Sequence, residues 1–151
     1  MKQLIVMVVV AGAVACDRGA ATRDAVPAAP GPAARVDCAI SAGPCTSGTG
    51  DATVILEIGP RPVRSMADLV FVVSGPAAAT SGATGLVDLT MPGMYMGKNE
   101  VQLAPDGAGH LTGKGVMVRC PSGHLTWAAA ITVRPAGGAP VRATFTFDLA
   151  E

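Results

Sequence analysis

Leu125-Thr-Trp-Ala-Ala-Ala-Ile-Thr-Val-Arg134 and, past Gly137-Gly138, Val141-Arg-Ala-Thr-Phe-Thr-Phe-Asp-Leu149 are the stretches that decide the fold. In the first, Leu125, Trp127, Ala129, Ile131 and Val133 fall on one side, with Thr126, Thr132 and Arg134 on the other. In the second, Val141, Ala143, Phe145, Phe147 and Leu149 form the apolar side, with Arg142, Thr144, Thr146 and Asp148 opposite. Successive side chains of an extended chain point to opposite faces. A two-residue alternation therefore marks strands with one face in a core and one in water.

The same period recurs upstream in residues 53–58, 68–73, 85–90, 99–103 and 110–118. Gly59-Pro60-Arg61-Pro62, Ser74-Gly75-Pro76 and Pro105-Asp106-Gly107 break these runs where turns are required. Helical signals are absent. Seven short runs with turns between them predict an all-β domain over residues 37–151, an immunoglobulin-like antiparallel β-sandwich of about seven strands. Trp127, the single tryptophan, reads as a core pin.

Strand direction then sorts the loops. Successive strands alternate, so the loop after the third run and the loop after the fifth share one end of the sandwich. His110 falls at the other end, since nine residues of strand separate it from Arg119, roughly 30 Å at ~3.3 Å each. The segment before the first run, with Cys38 and Cys45, is expected to start nearest that far end.

The N-terminus has a different character. Residues 1–15 form a secretory signal: Lys2 supplies the positive end, and residues 4–14 are apolar apart from Gly12. The run is too short to span a bilayer. It ends Ala13-Val14-Ala15-Cys16, which resembles the bacterial lipobox and makes Cys16 the expected lipid acceptor. Residues 16–36 follow as anchor and Ala/Pro-rich linker, with too little apolar surface to fold. The expected location is the cell envelope, periplasmic and lipid-anchored to the inner or outer membrane.

Removing Lys2 with the signal leaves 10 basic against 11 acidic residues. Aromatic content is 3% and no basic face appears, so nucleic acid has neither an electrostatic nor a stacking surface to meet. In an oxidising compartment Cys38 and Cys45 make the natural disulfide, with Gly43-Pro44 turning the chain back between them. Cys120 is left unmatched.

Asp88-Leu-Thr-Met-Pro-Gly-Met-Tyr-Met-Gly-Lys98 and Arg119-Cys-Pro-Ser-Gly-His124 carry the chemistry on offer. The first gathers Met91, Met94 and Met96 from a total of seven methionines; the second sets Cys120 four residues from His124. Thioether, thiolate and imidazole together suit monovalent copper. Met94, Met96 and Cys120 are the first-choice ligands, with Met91 or His124 as a further one. Each has a plainer role too. Methionine is an adaptable core filler, free cysteine is often buried, and His124 sits in a Pro-Ser-Gly turn open to solvent. Met91 continues the inward face of Leu89 and is expected in the core.

Cys-Pro-Ser-Gly-His resembles the cysteine–histidine arm of cupredoxins, but a blue-copper centre needs a second histidine and usually a nearby methionine. No methionine follows His124, and His110 is at the wrong end. Ser122 beside His124 lacks an acid, a nucleophile elbow and an oxyanion loop, so no enzyme is expected.

The half from Leu86 onward resembles small bacterial exported proteins related to YtkA-like domains. The likeness rests on Leu-Asp-Leu-Thr-Met-Pro-Gly-Met-Tyr-Met-Gly-Lys-Asn99, Gly113-Lys-Gly-Val116, Arg119-Cys-Pro-Ser-Gly123 and Trp127. In YtkA-like domains the Met-Pro-x-Met-x-Met-Gly run occupies a loop of an immunoglobulin-like sandwich. Related domains accompany copper transport or cytochrome oxidase assembly, so the resemblance implies a metal-handling or respiratory setting.

Two functions follow as expectations. One is a lipid-anchored Cu(I) carrier or buffer that hands copper to an accepting protein. The other is a non-enzymatic interaction or structural envelope module that uses no metal, in which the methionine loop, with Tyr95, docks a membrane-complex partner.

Overall fold

The computed structural model describes residues 35–151. The expected signal segment 1–15, Cys16 as the expected lipid acceptor and the expected linker up to residue 34 lie outside the described residues.

The domain is an all-β antiparallel sandwich. Its strands are β1 (Cys45–Ser47), β2 (Val54–Gly59), β3 (Leu69–Ser74), β4 (Thr84–Thr90), β5 (Glu100–Pro105), β6 (Leu111–Gly115), β7 (Thr126–Arg134) and β8 (Val141–Asp148). Strands β2 to β8 correspond to the seven alternating runs. The three residues of β1 are too few to show a period, and they add an eighth strand, paired Cys45 to Leu56 and Ser47 to Val54.

Hydrogen bonding links the strands in the order β1-β2-β3-β6-β5-β4-β7-β8. The ladder folds over at β5. Its residues Val101, Gln102 and Leu103 pair with β4, whereas Ala104 and Pro105 pair with β6. One strand thus passes from layer to layer, and the layers close on a core led by Trp127, Phe71 and Phe147. The crossing is close. A Cβ on Gly113 would lie 2.4 Å from the Gln102 carbonyl oxygen, and one on Gly115 would lie 2.5 Å from Val101 Cγ2. Glycine at both positions of β6 lets β5 lie over it.

The sheet's outer edge at β8 is covered. Asp37 and Cys38 donate their backbone N–H groups to the Thr146 carbonyl at 2.9 and 3.1 Å, and Thr146 N–H donates to Asp37 Oδ1 at 2.8 Å. Farther along, Ala150 N–H donates to Val63 O at 2.8 Å. Backbone groups that an edge strand leaves open are satisfied by these flanking segments. This coverage explains one departure from the alternation: Thr146, on the polar side of its run, is 9% exposed because residues 37–38 lie across it.

Two further departures concern ends. The fifth run forms ladder only over Leu111–Gly115, and residues 116–118 leave the sheet toward β7. The disulfide segment also lies at the opposite end from the one expected. Val63 N–H donates to Ser41 Oγ at 3.1 Å, which puts residues 39–44 beside the β2–β3 connection. The added strand β1 supplies one more reversal, and one reversal changes the end. The Cys38–Cys45 bond itself is present, with Cα atoms 5.7 Å apart.

Candidate functional site

Every adjacent strand pair is antiparallel, so the β2–β3, β4–β5 and β6–β7 connections gather at one end with the residues that follow β8. His110 lies at the other, in the β5–β6 turn, where its ring nitrogen is 3.1 Å from Asp106 Oδ2. Asp106 also accepts the backbone N–H groups of Ala108 at 2.7 Å and His110 at 3.1 Å. The Ala108 bond is the chief reason its carboxyl titrates below the usual range.

At the gathered end, two proline turns face each other. Met91-Pro-Gly-Met94 is closed by Met94 N–H donating to Met91 O at 3.0 Å. Pro92 has the φ required at the second position, and Gly93 takes the positive φ, +78°, required at the third. Cys120-Pro-Ser-Gly123 is closed likewise by Gly123 N–H donating to Cys120 O at 3.0 Å. Both loops are tied at their roots. Asn99 accepts Leu89 N–H at 2.8 Å through its carbonyl, and its side-chain Nδ2 donates to Val116 O at 3.2 Å.

The turns bring two sulfurs together. Cys120 Sγ lies 3.6 Å from Met94 Sδ, with the thiol as donor. On its other side Ser122 Oγ stands 2.9 Å from the same sulfur. The Ser122 hydroxyl favours the thiolate and draws the Cys120 pKa below the ordinary thiol value; burial opposes it, and backbone N–H groups of Ser122, His124 and Gly123 assist it. Ser122 is the residue a search for a serine–histidine pair misreads. Its role follows from the Cys-Pro-Ser spacing, since a proline turn curls the hydroxyl back onto the thiol.

The other candidate ligands are distributed unevenly. Met91 is 4% exposed and belongs to the core, as its place after Leu89 foretold. Met94 and Met96 are half-buried and line a shallow groove of about 340 Å³ with Asp88, Thr90 and Tyr95. Tyr95 between them is 90% exposed. Cys120 and His124 line a separate cleft of about 420 Å³. His124 is exposed there, whereas Cys120 is buried. The Met94–Cys120 contact joins the two hollows. Among the described residues no group of three or more His, Cys, Asp or Glu side chains converges.

Comparison with family models, with curated proteins and with solved structures finds no match to this chain.

Proposed function

We propose that the protein is an envelope-tethered carrier or buffer of Cu(I), held to the membrane by a lipid on Cys16, with copper as its cargo. The observation that supports this reading most is the 3.6 Å approach of Met94 Sδ and Cys120 Sγ. Metal–sulfur bonds are about 2.3 Å long in thiolate sites, so two sulfurs on one ion at tetrahedral to trigonal angles stand roughly 3.7–4.0 Å apart. The pair needs to open by only a few tenths of an ångström.

The donor set suits the ion. One thiolate and one thioether are soft ligands of the kind Cu(I) selects, and the Ser122 hydroxyl favours the thiolate form. Met96 and the exposed His124 are the nearest further donors in sequence. A set of two or three such ligands on loops suits exchange with an acceptor better than permanent storage. The resemblance to YtkA-like domains points to the same setting, copper delivery or oxidase assembly. The test is titration with Cu(I) against a competing chelator, in the mature domain. One equivalent bound is expected, with affinity falling at least tenfold in Met94→Leu/Met96→Leu and further in Cys120→Ala. Binding unchanged in all of these variants would refute the reading.

A second reading, a docking module without metal, is favoured by Tyr95, which stands 90% exposed on the methionine loop. Tyrosine is among the residues enriched at binding hot spots, and here it projects between two half-buried methionines. Capture of an envelope partner that depends on Tyr95 and persists with copper chelated distinguishes this reading from the first.

A further inference from the structure

The cleft beside the sulfur pair has features that the metal reading does not use. Arg64 and Arg119 both line it, and neither forms an ion pair among the described residues. Trp127 lines it as well; its indole Nε1 is buried and has no acceptor among the described residues. The remaining wall is largely apolar, with Leu125, Leu149 and Val118 contributing. Glu151 and Cys120 are the acidic groups present, and neither is hydrogen-bonded to either arginine.

Two free guanidinium groups beside apolar walls are the recognition elements for an anion with a hydrocarbon body. A volume of about 420 Å³ is also more than a bare inorganic ion occupies and falls in the range of small-molecule sites. We infer that this cleft binds a small organic anion, its carboxylate or other oxyanion head at Arg64 and Arg119 and its apolar portion against Val118 and Leu125. Arginine is suited to such heads by its planar pair of donors. The inference does not depend on copper.

Trp127 is the only tryptophan in the chain, so the cleft carries its own reporter. Titration of the metal-free domain with hexanoate at fixed ionic strength, followed by Trp127 emission and by calorimetry, tests the inference. Saturable binding of hexanoate is expected, with hexanamide, its neutral analogue, at least tenfold weaker and inorganic phosphate weaker than hexanoate. Arg64→Ala and Arg119→Ala should each weaken hexanoate about tenfold, the loss of one charge-assisted contact, while leaving hexanamide unchanged. Both arginines are exposed and the variants should fold; Arg119→Gln provides a second test that keeps the side chain's bulk. Equal binding of hexanoate and hexanamide, a hexanoate response that never saturates, or insensitivity to both arginine variants would overturn it. Phosphate binding as tightly as hexanoate would assign the arginines to a bare ion and equally overturn the organic-anion assignment.

Discussion

Gly113→Ala is the substitution that bears most directly on how the two layers are joined. A Cβ at this position would meet the Gln102 carbonyl oxygen at 2.4 Å, Val101 Cγ1 at 2.8 Å and Leu103 Cδ2 at 3.0 Å. The first is backbone and cannot rotate away, so β5 must lift from β6 as a unit. Overpacking of this kind costs typically 1–3 kcal/mol, and a fixed carbonyl places the cost near the top, about 3 kcal/mol. At about 4 °C per kcal/mol for a domain of this size, the melting temperature should fall by about 12 °C. Gly115→Ala meets a side chain instead, Val101 Cγ2 at 2.5 Å, so Val101→Ala should relieve it substantially and Gly113→Ala less. Gly43→Ala, with open space around its Cβ position and no positive φ, is the control and should change stability by under ~1 kcal/mol. Thermal unfolding by circular dichroism reads all five variants. A Gly113→Ala protein melting within about 2 °C of the parent would refute the close crossing of β5 over β6.

Removing the disulfide through Cys38→Ser/Cys45→Ser closes no loop in the unfolded chain. For a sequence separation of 7 the chain-entropy relation gives about 2.4 kcal/mol of lost stability, readable by urea denaturation. Ser122→Ala removes the first cause of the lowered Cys120 pKa, so thiolate absorbance across a pH series should show the thiol titrating higher. In the parent the folded thiol loses its proton before the unfolded one. That contribution to stability is fully present above the unfolded pKa and is lost as pH falls through the folded value; in Ser122→Ala it should shrink. Asp106 behaves in the same sense at acid pH: its stabilising effect should disappear as pH falls through its lowered pKa, and Asp106→Asn should flatten that limb of the stability–pH curve.

The sequence was most readable where one periodic pattern met one physical demand. The alternation of residues 125–134 and 141–149 reports faces directly, and Trp127, Phe145 and Phe147 are buried where it places them. Strand direction was equally readable, because reversal at every turn needs no knowledge of partners. What alternation does not encode is which strand lies beside which. Nothing in Glu-Val-Gln-Leu-Ala-Pro says that its first four residues pair with β4 and its last two with β6; that division is visible only in the glycines of the strand it crosses. Short elements fail for a related reason. Cys45-Thr-Ser47 is too brief to have a period, yet its reversal moved the disulfide segment to the other end. Thr146 shows the limit of the polar-out rule: a hydroxyl tolerates burial once a neighbouring segment covers its strand.

The Met94–Cys120 pair depends on both layers at once. Met94 leaves from β4, whereas Cys120 lies on the chain as it crosses from β6 in one layer to β7, the strand paired with β4, in the other. Neither proline turn alone sets the 3.6 Å separation. It is set by how β5 lies on β6 and by Asn99, which accepts from Leu89 next to one turn and donates to Val116 on the way to the other. Ligand binding at the sulfur pair should therefore stabilise the domain as a whole, by RT ln(1 + [L]/Kd), because the unfolded chain has no such pair to offer. Conversely, Asn99→Ala, which frees the Val116 carbonyl at a cost of about 1 kcal/mol, removes no sulfur and yet should loosen the arm that carries Cys120. A site assembled this way is sensitive to residues that never touch its occupant, and Asn99 is the one through which that sensitivity can be measured.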